Sequence, residues 1–171
     1  MSVATTSAQA EIDTLRMNVQ ALNSVVRRNL QDITNEESLE QPRPAGNCIN
    51  WVLGHLVCVY NEVLPLVGQK PVVGKDALQR YTRGSAPVVN AQEATSFPEL
   101  VVQFDRSAEA FETGIASLAP EALDHPAPVS PRNNPNETVR SLLGLIVFHQ
   151  GYHAGQLGIL RRMVGKKGAI A

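Results

Sequence analysis

Apolar residues recur at intervals of three and four along four separate stretches of this chain, and nowhere do they alternate convincingly in twos. Such spacing keeps side chains on one face of a helix, because successive residues turn by about 100°, whereas strands need period two. The first stretch runs from about Ser7 to Ile33 and carries Ile12, Leu15, Val19, Leu22, Val26, Leu30 and Ile33 as one stripe. The second starts after the breaker PRPAG, with Asn47 as expected N-cap, and passes through Trp51, His55 and Val59 to about Val67 before Gly68. Pro65 lies in its last turn, where it removes a helical hydrogen bond. The third opens on Ser96 to Glu99 (SFPE), a capping-box pattern, and continues through Phe104, Ala108, Phe111, Ile115 and Leu118 until Pro120 stops it. The fourth runs from about Glu137 to Val164 and stops before Gly165.

Four amphipathic helices predict an all-α fold, a four-helix bundle. With 171 residues the chain is expected to form a single domain over 1–171. Long connections separate helices two and three and helices three and four. Residues 68–95 hold one weak helical piece, around Asp76 to Tyr81, and are long enough to cross an end of the bundle, so consecutive helices need not be antiparallel neighbours. Residues 119–136 carry Pro120, Pro126, Pro128, Pro131 and Pro135, which forbids a helix and predicts a stiff loop over one end.

The same residues narrow the classes of function. A hydrophobic content of 43% with 18% charged residues is too apolar for a disordered chain, and the longest apolar run, Leu142 to Phe148, is far too short to span a bilayer. A net charge of −1 with no basic stripe argues against a nucleic-acid partner. The start, MSVATTSAQAEIDTL, has neither a basic nor an apolar leader segment, and Cys48 and Cys58, roughly 15 Å apart along one helix, are too distant to bridge. Free thiols in a cytoplasmic protein are the expectation.

Two histidines, His149 and His153, sit four residues apart on the fourth helix, so their rings project from one face, one turn above the other. They share that face with Leu142, Ile146, Leu157 and Leu160 and therefore point into the bundle. Burying two imidazoles without partners would cost roughly 1 to 3 kcal/mol for each unpaired polar group, so something in the core should satisfy them. His55, on the stripe that also holds Val59, Glu62 and Leu66, is a candidate third imidazole from a facing helix. Three neutral histidines are a donor set for one divalent ion, with positions left for water or substrate, as in catalytic metal sites.

The segments from Asn47 to Leu56 (NCINWVLGHL) and from His149 to Leu157 (HQGYHAGQL) resemble the DinB/YfiT-like superfamily of bacterial metal-binding four-helix bundles, and the likeness extends over essentially the whole chain. The resemblance implies that His55, His149 and His153 bind a divalent metal, commonly nickel or zinc. It also implies a small-molecule chemistry, since characterised relatives include thiol-dependent S-transferases and a mycothiol-dependent isomerase, and many others are regarded as metal-dependent hydrolases. Cys48 stands where a Ser or Thr is usual and Ala154 where an Arg is frequent, which leaves recognition of a substrate carboxylate unsupported.

Other residues have roles to weigh. Glu62, two turns from His55, is a bundle-end carboxylate or a base reached through water; Cys58, one turn from His55, reads as a small buried hydrophobe rather than a soft ligand. His125 is expected to be an exposed loop residue, and Tyr81 or Arg83 to touch substrate. Gly144, Gly151, Gly155 and Gly158 line the side of the fourth helix opposite the histidines, with Phe148, Val147 and Ile159 beside them. Each glycine costs close to 1 kcal/mol of helix propensity, so another backbone should approach there, from the first or third helix or from a second subunit. A homodimer is expected. The functional expectation is a metal-dependent thiol S-transferase or hydrolase acting on a small electrophile, with a low-molecular-weight thiol as possible cosubstrate. A non-catalytic metal-binding stress-response protein is the alternative, and a purely structural bundle is a third.

Overall fold

The computed structural model describes residues 3–170, with side chains from Ser7 onward. The leader and single-domain expectations therefore fall partly on Met1, Ser2 and Ala171, which lie outside the described residues. The elements are α1 (Val3–Leu30), α2 (Asn35–Ser38), α3 (Ile49–Val63), α4 (Lys75–Leu78), α5 (Phe97–Ala116) and α6 (Val139–Met163), with 3-10 turns in the connections that follow α3, α4 and α5, and no strand occurs among the described residues. The protein is all-α. No helix among them is long and apolar enough to cross a membrane.

The four long helices are the four periodic stretches, with ends moved by a few residues for identifiable reasons. α1 stops at Leu30 rather than Ile33 because Asp32 turns left-handed at φ 57° and Thr34 then caps α2, in a capping box with Glu37. Ile33 stays buried without being helical. α3 is preceded by Cys48 rather than Asn47, and at Pro65 its α-helical pattern gives way to a 3-10 turn, Leu64–Val67, closed by Gly68 at φ 73°. The capping box expected at Ser96 does not form: Ser96 makes no side-chain cap bond, and the Phe97 amide donates instead to Asn35 Oδ1 at 2.9 Å. α6 is capped by Thr138, whose side chain accepts from the Ser141 amide in a capping box.

Contacts between helices set their directions. Glu11 pairs with Arg140 and Asn29 donates to the Ala154 carbonyl, so α1 and α6 run parallel. Asn23 donates to Glu112 and Arg27 pairs with Asp105, so α5 runs the other way. Asn50 reaches the Thr95 carbonyl just before α5 and Asn61 reaches Ser107, so α3 is parallel to α5 and antiparallel to α6. The parallel pair α3 and α5 requires a crossover, and residues 68–95 supply it, pinned where Asn61 Oδ1 accepts from the amides of Val72 and Val73 at 2.8 and 2.9 Å.

A buried polar chain crosses the apolar core. Tyr60 Oη donates to Asn23 Oδ1 at 2.6 Å, and Asn23 donates to Glu112 at 2.8 Å. These bonds have one geometric solution, so they hold α1, α3 and α5 in register where apolar contacts alone would tolerate sliding. Six residues before Asn61, His55 projects from α3 toward α6, which is where the site begins.

A three-histidine candidate metal centre

The structure brings His55, His149 and His153 together at the seam between α3 and α6. Their nearest nitrogens all lie within 4.8 Å of one another. Nε2 of His149 is 3.1 Å from Nε2 of His55 and 3.1 Å from Nε2 of His153. His55 and His153 are 6% and 7% exposed, and His149 is half-buried.

Their surroundings set the tautomers. The Tyr81 carbonyl can only accept, so the 2.8 Å contact to His55 Nδ1 places the proton on Nδ1 and leaves Nε2 bare. Gln156 Oε1, 2.7 Å from His153 Nδ1, does the same for His153, while the Gln156 amide donates to Tyr152 Oη. His149 Nδ1 is buried and has no partner among the described residues. Neutral His149 has one proton: on Nδ1 it leaves lone pairs opposed across both 3.1 Å contacts, and on Nε2 its single N–H can serve only one of the two neighbours well. A fully protonated ring would relieve this, but burial opposes it: burial pushes His149 down to about 3, aided by the positive charge of its neighbours, and His153 down to about 4, and it lowers His55 as well. The cluster is three neutral imidazoles with their Nε2 atoms turned toward one another and too few protons to join them.

That arrangement fits a shared cation. Two nitrogens bound at 2.0 to 2.1 Å to one tetrahedral ion stand about 3.3 Å apart, close to the 3.1 Å found here. The carbonyl and amide behind His55 and His153 are the outer partners that orient metal-bound imidazoles. Trp51 adds a wall, its ring stacked on His55 at 4.9 Å and 16°, with Nε1 donating to Ser85 Oγ at 2.9 Å.

The imidazoles open into a cavity of about 710 Å³ lined by α3, α6 and both long connections. Arg83 comes from the first connection, and Val129, Pro131 and Arg132 from the proline-rich one. Glu62 is exposed and lines the cavity, as does Cys58, which is buried and points its Sγ at Glu62 Oε1, 3.7 Å away. Burial and the Glu62 charge push the Cys58 thiol up to about 12, so it is a neutral donor and not a nucleophile. His125 is exposed and does not line the cavity.

Tyr81 departs from the expected substrate contact. Its side chain is fully buried, its hydroxyl donates to Asn50 Oδ1 and accepts from the Thr95 amide, and its ring packs so closely on Gly54 that a Cβ there would lie 2.3 Å from Cδ1. Its contribution to the site is the backbone carbonyl. The role of Gln156 was legible as an i, i+3 neighbour of His153 on the same face, whereas the residues reached from the proline-rich loop left no periodic signal.

The glycine stripe divides. Gly151 and Gly158 face α1, where a Cβ would meet Leu22 and Asn29 at 3.7 and 3.6 Å, while Gly144 and Gly155 have nothing within 4 Å. Phe148 and Ile159 beside them are 70% and 67% exposed.

Comparison with known proteins bears on the same features. No curated protein sequence matches the chain. A solved structure described as a conserved protein from Enterococcus faecalis superposes with a TM-score of 0.68 over 89% of this chain and 95% of that one, at 15% identity, which is a likeness of fold. The DinB superfamily profile matches residues 14–157, spanning α1 to α6 and all three histidines, and the chain belongs to the DinB superfamily.

Proposed function

We propose that this protein is a metal-dependent enzyme in which His55, His149 and His153 hold one divalent ion, nickel or zinc, at the base of the cavity. The observation that carries the proposal is the set of three Nε2 atoms, two of them bared by bonds at Nδ1, converging in a site where burial keeps the rings neutral. An ion there would supply Lewis acidity to a thiol or water nucleophile. The chain's own residues do the rest: Tyr81 and Gln156 fix the imidazoles, Trp51 walls the site, and the cavity leaves room for a small electrophile beside them. A thiol-dependent S-transfer or a hydrolysis is the reaction class, with a low-molecular-weight thiol as cosubstrate in the first case.

Elemental analysis of tag-free protein tests the centre. About one nickel or zinc per chain is expected, with loss in His149→Ala and His153→Ala; no ion in protein that remains folded overturns the proposal. Disappearance of a panel of electrophiles and esters, with and without added thiol, then separates transfer from hydrolysis. A loaded protein that turns over nothing is the non-catalytic metal-binding protein.

Two further parts of this reading concern setting. The open stretch of α6 around Gly144, Phe148 and Gly155 is the surface through which we propose a homodimer, and sedimentation as a monomer at micromolar concentration would sink that idea. Both cysteines are free, which suits a reducing compartment, and the cytoplasm is the location we propose.

A further inference from the structure

The cavity has two unlike ends. Because α3 and α6 are antiparallel, residues beyond His55 on α3 lie opposite residues before His149 on α6. Val59 and Val63 thus face Ile146, Leu145 and Leu142, and all five line the cavity. From His149 back to Leu142 is seven residues, roughly 10 Å of helix axis, so an apolar trough of about that length leads away from the imidazoles. Val129 and Pro131 line it from the proline-rich loop, and Val129 is 54% exposed, an apolar side chain left facing the opening.

Charge is placed at the other end and on the rim. Two guanidinium groups line the cavity. Arg132 is bonded to the buried Glu137 at 2.9 Å, whereas Arg83 has no hydrogen-bond or ion-pair partner among the described residues. Arg83 lies two residues beyond Tyr81, whose carbonyl is bonded to His55 Nδ1 at 2.8 Å, and it lines the cavity with the three histidines, which puts it at the imidazole end. Glu62, one turn from Val59 and already accepting from Cys58, presents negative charge on the trough side. An anion is therefore attracted at Arg83 and repelled near Glu62.

We infer that the cavity binds an amphipathic carboxylate, its anionic head on Arg83 beside the three imidazoles and its apolar tail lying in the trough toward Val63 and Leu142. This rests on the proposed metal site only for what the head sits beside; the trough and Arg83 belong to the chain whether or not an ion binds. The class is narrower than a small electrophile. Short polar acids leave the trough wet, and neutral chains leave Arg83 bonded only to water.

Calorimetric titration of the full chain with butyrate, hexanoate, octanoate and hexanamide, in ion-stripped and nickel-loaded forms, tests this. Affinity should rise by about fourfold per methylene from butyrate until the trough is filled. Hexanoate should bind about tenfold more tightly than hexanamide, the worth of a charge-assisted bond. Arg83→Gln, an exposed position, should remove the acid-to-amide difference and leave hexanamide binding in place. Leu145→Trp should remove the gain from butyrate to octanoate, with thermal melting as the check that each variant is folded. Equal binding of acid and amide, indifference to chain length, or no binding of any probe at millimolar concentration overturns the inference. So does an acid-to-amide difference that survives Arg83→Gln but vanishes on stripping nickel, because the head would then be held by the ion. Nickel content, measured on the same samples, reports separately on the metal site, so its failure is not confused with a failure of the trough.

Discussion

The two long connections reach the same cavity and are tied down in opposite ways. Residues 68–95 are built into the core: Leu78, Tyr81 and Val88 are buried, Asn61 holds the backbone at Val72 and Val73, and the Tyr81 ring occupies the space that a side chain at position 54 would need. The proline-rich connection, 119–136, is anchored at its start by the buried Leu123 and at its end by Glu137, whose carboxylate accepts from Ser141, Ser130 and the half-exposed Arg132. A segment held by the core can present a backbone carbonyl with the accuracy that orienting an imidazole requires. A surface strap held at its ends can present side chains to a substrate without disturbing the imidazoles. The first connection is thus part of the candidate metal centre, and the second shapes what lies above it.

The largest effect should come from forcing the first connection away. In Gly54→Val the new side chain would overlap the Tyr81 ring, with Cβ 2.3 Å from Cδ1. A stability loss of about 1 to 3 kcal/mol is expected from overpacking. Metal affinity should fall by about 10- to 100-fold, as it does when an outer partner of a metal-bound histidine is lost. Urea unfolding and a metal titration check both, and unchanged metal affinity would break the link between the crossover and the site.

Tyr81→Phe sharpens the same comparison with a smaller change. The hydroxyl is lost, leaving Asn50 Oδ1 and the Thr95 amide short of a partner at a cost of about 1 to 3 kcal/mol, while the backbone carbonyl remains. Stability should drop with metal affinity less than tenfold weaker, so the anchor and the orienting group are separable by one substitution.

Glu137→Gln addresses the second connection. Its bonds to Ser141, Ser130 and Arg132 hold this carboxyl below the usual 4.5. A carboxyl with a depressed folded pKa adds stability that is present above its unfolded value and is lost as pH falls through the folded one. Faster amide exchange confined to residues 126–137 is expected in the variant at neutral pH, with metal affinity unaltered; a weaker metal site would show that the two connections are not independent.

The smallest effect is a near-zero one. The imidazoles of His149 and His153, pushed down to about 3 and 4, and of His55, also lowered, carry no charge at pH 7. Nickel binding should release almost no protons there, a result readable from calorimetry in two buffers of different ionisation enthalpy. Because the folded state binds fewer protons than the unfolded one below 6.5, the stability of the metal-free protein should be full above that value and decline as pH falls toward 3.

Helix content and the two-histidine pair were properties of the sequence alone, since both depend on spacing along one helix: the buried set Ile12, Val19, Val26 and Leu30 recurs as α1 needs, and His149 and His153 share a face whatever packs against them. The stripe of the second helix offered His55 as a third imidazole, and the DinB-like segments implied that it is a ligand. Other features depend on meetings between distant residues, which no local pattern encodes. The amide of Phe97 is capped from Asn35, and the proton of His55 is directed by a carbonyl 26 residues away. Gly54 matters because of a ring from the crossover, and half the glycine stripe of α6 is covered by α1 while half is not. Periodicity reports which face of a helix is buried, but the partner on the other side of that face is chosen by the crossing of whole helices, and there the tautomers, the trough and the placement of Arg83 were decided.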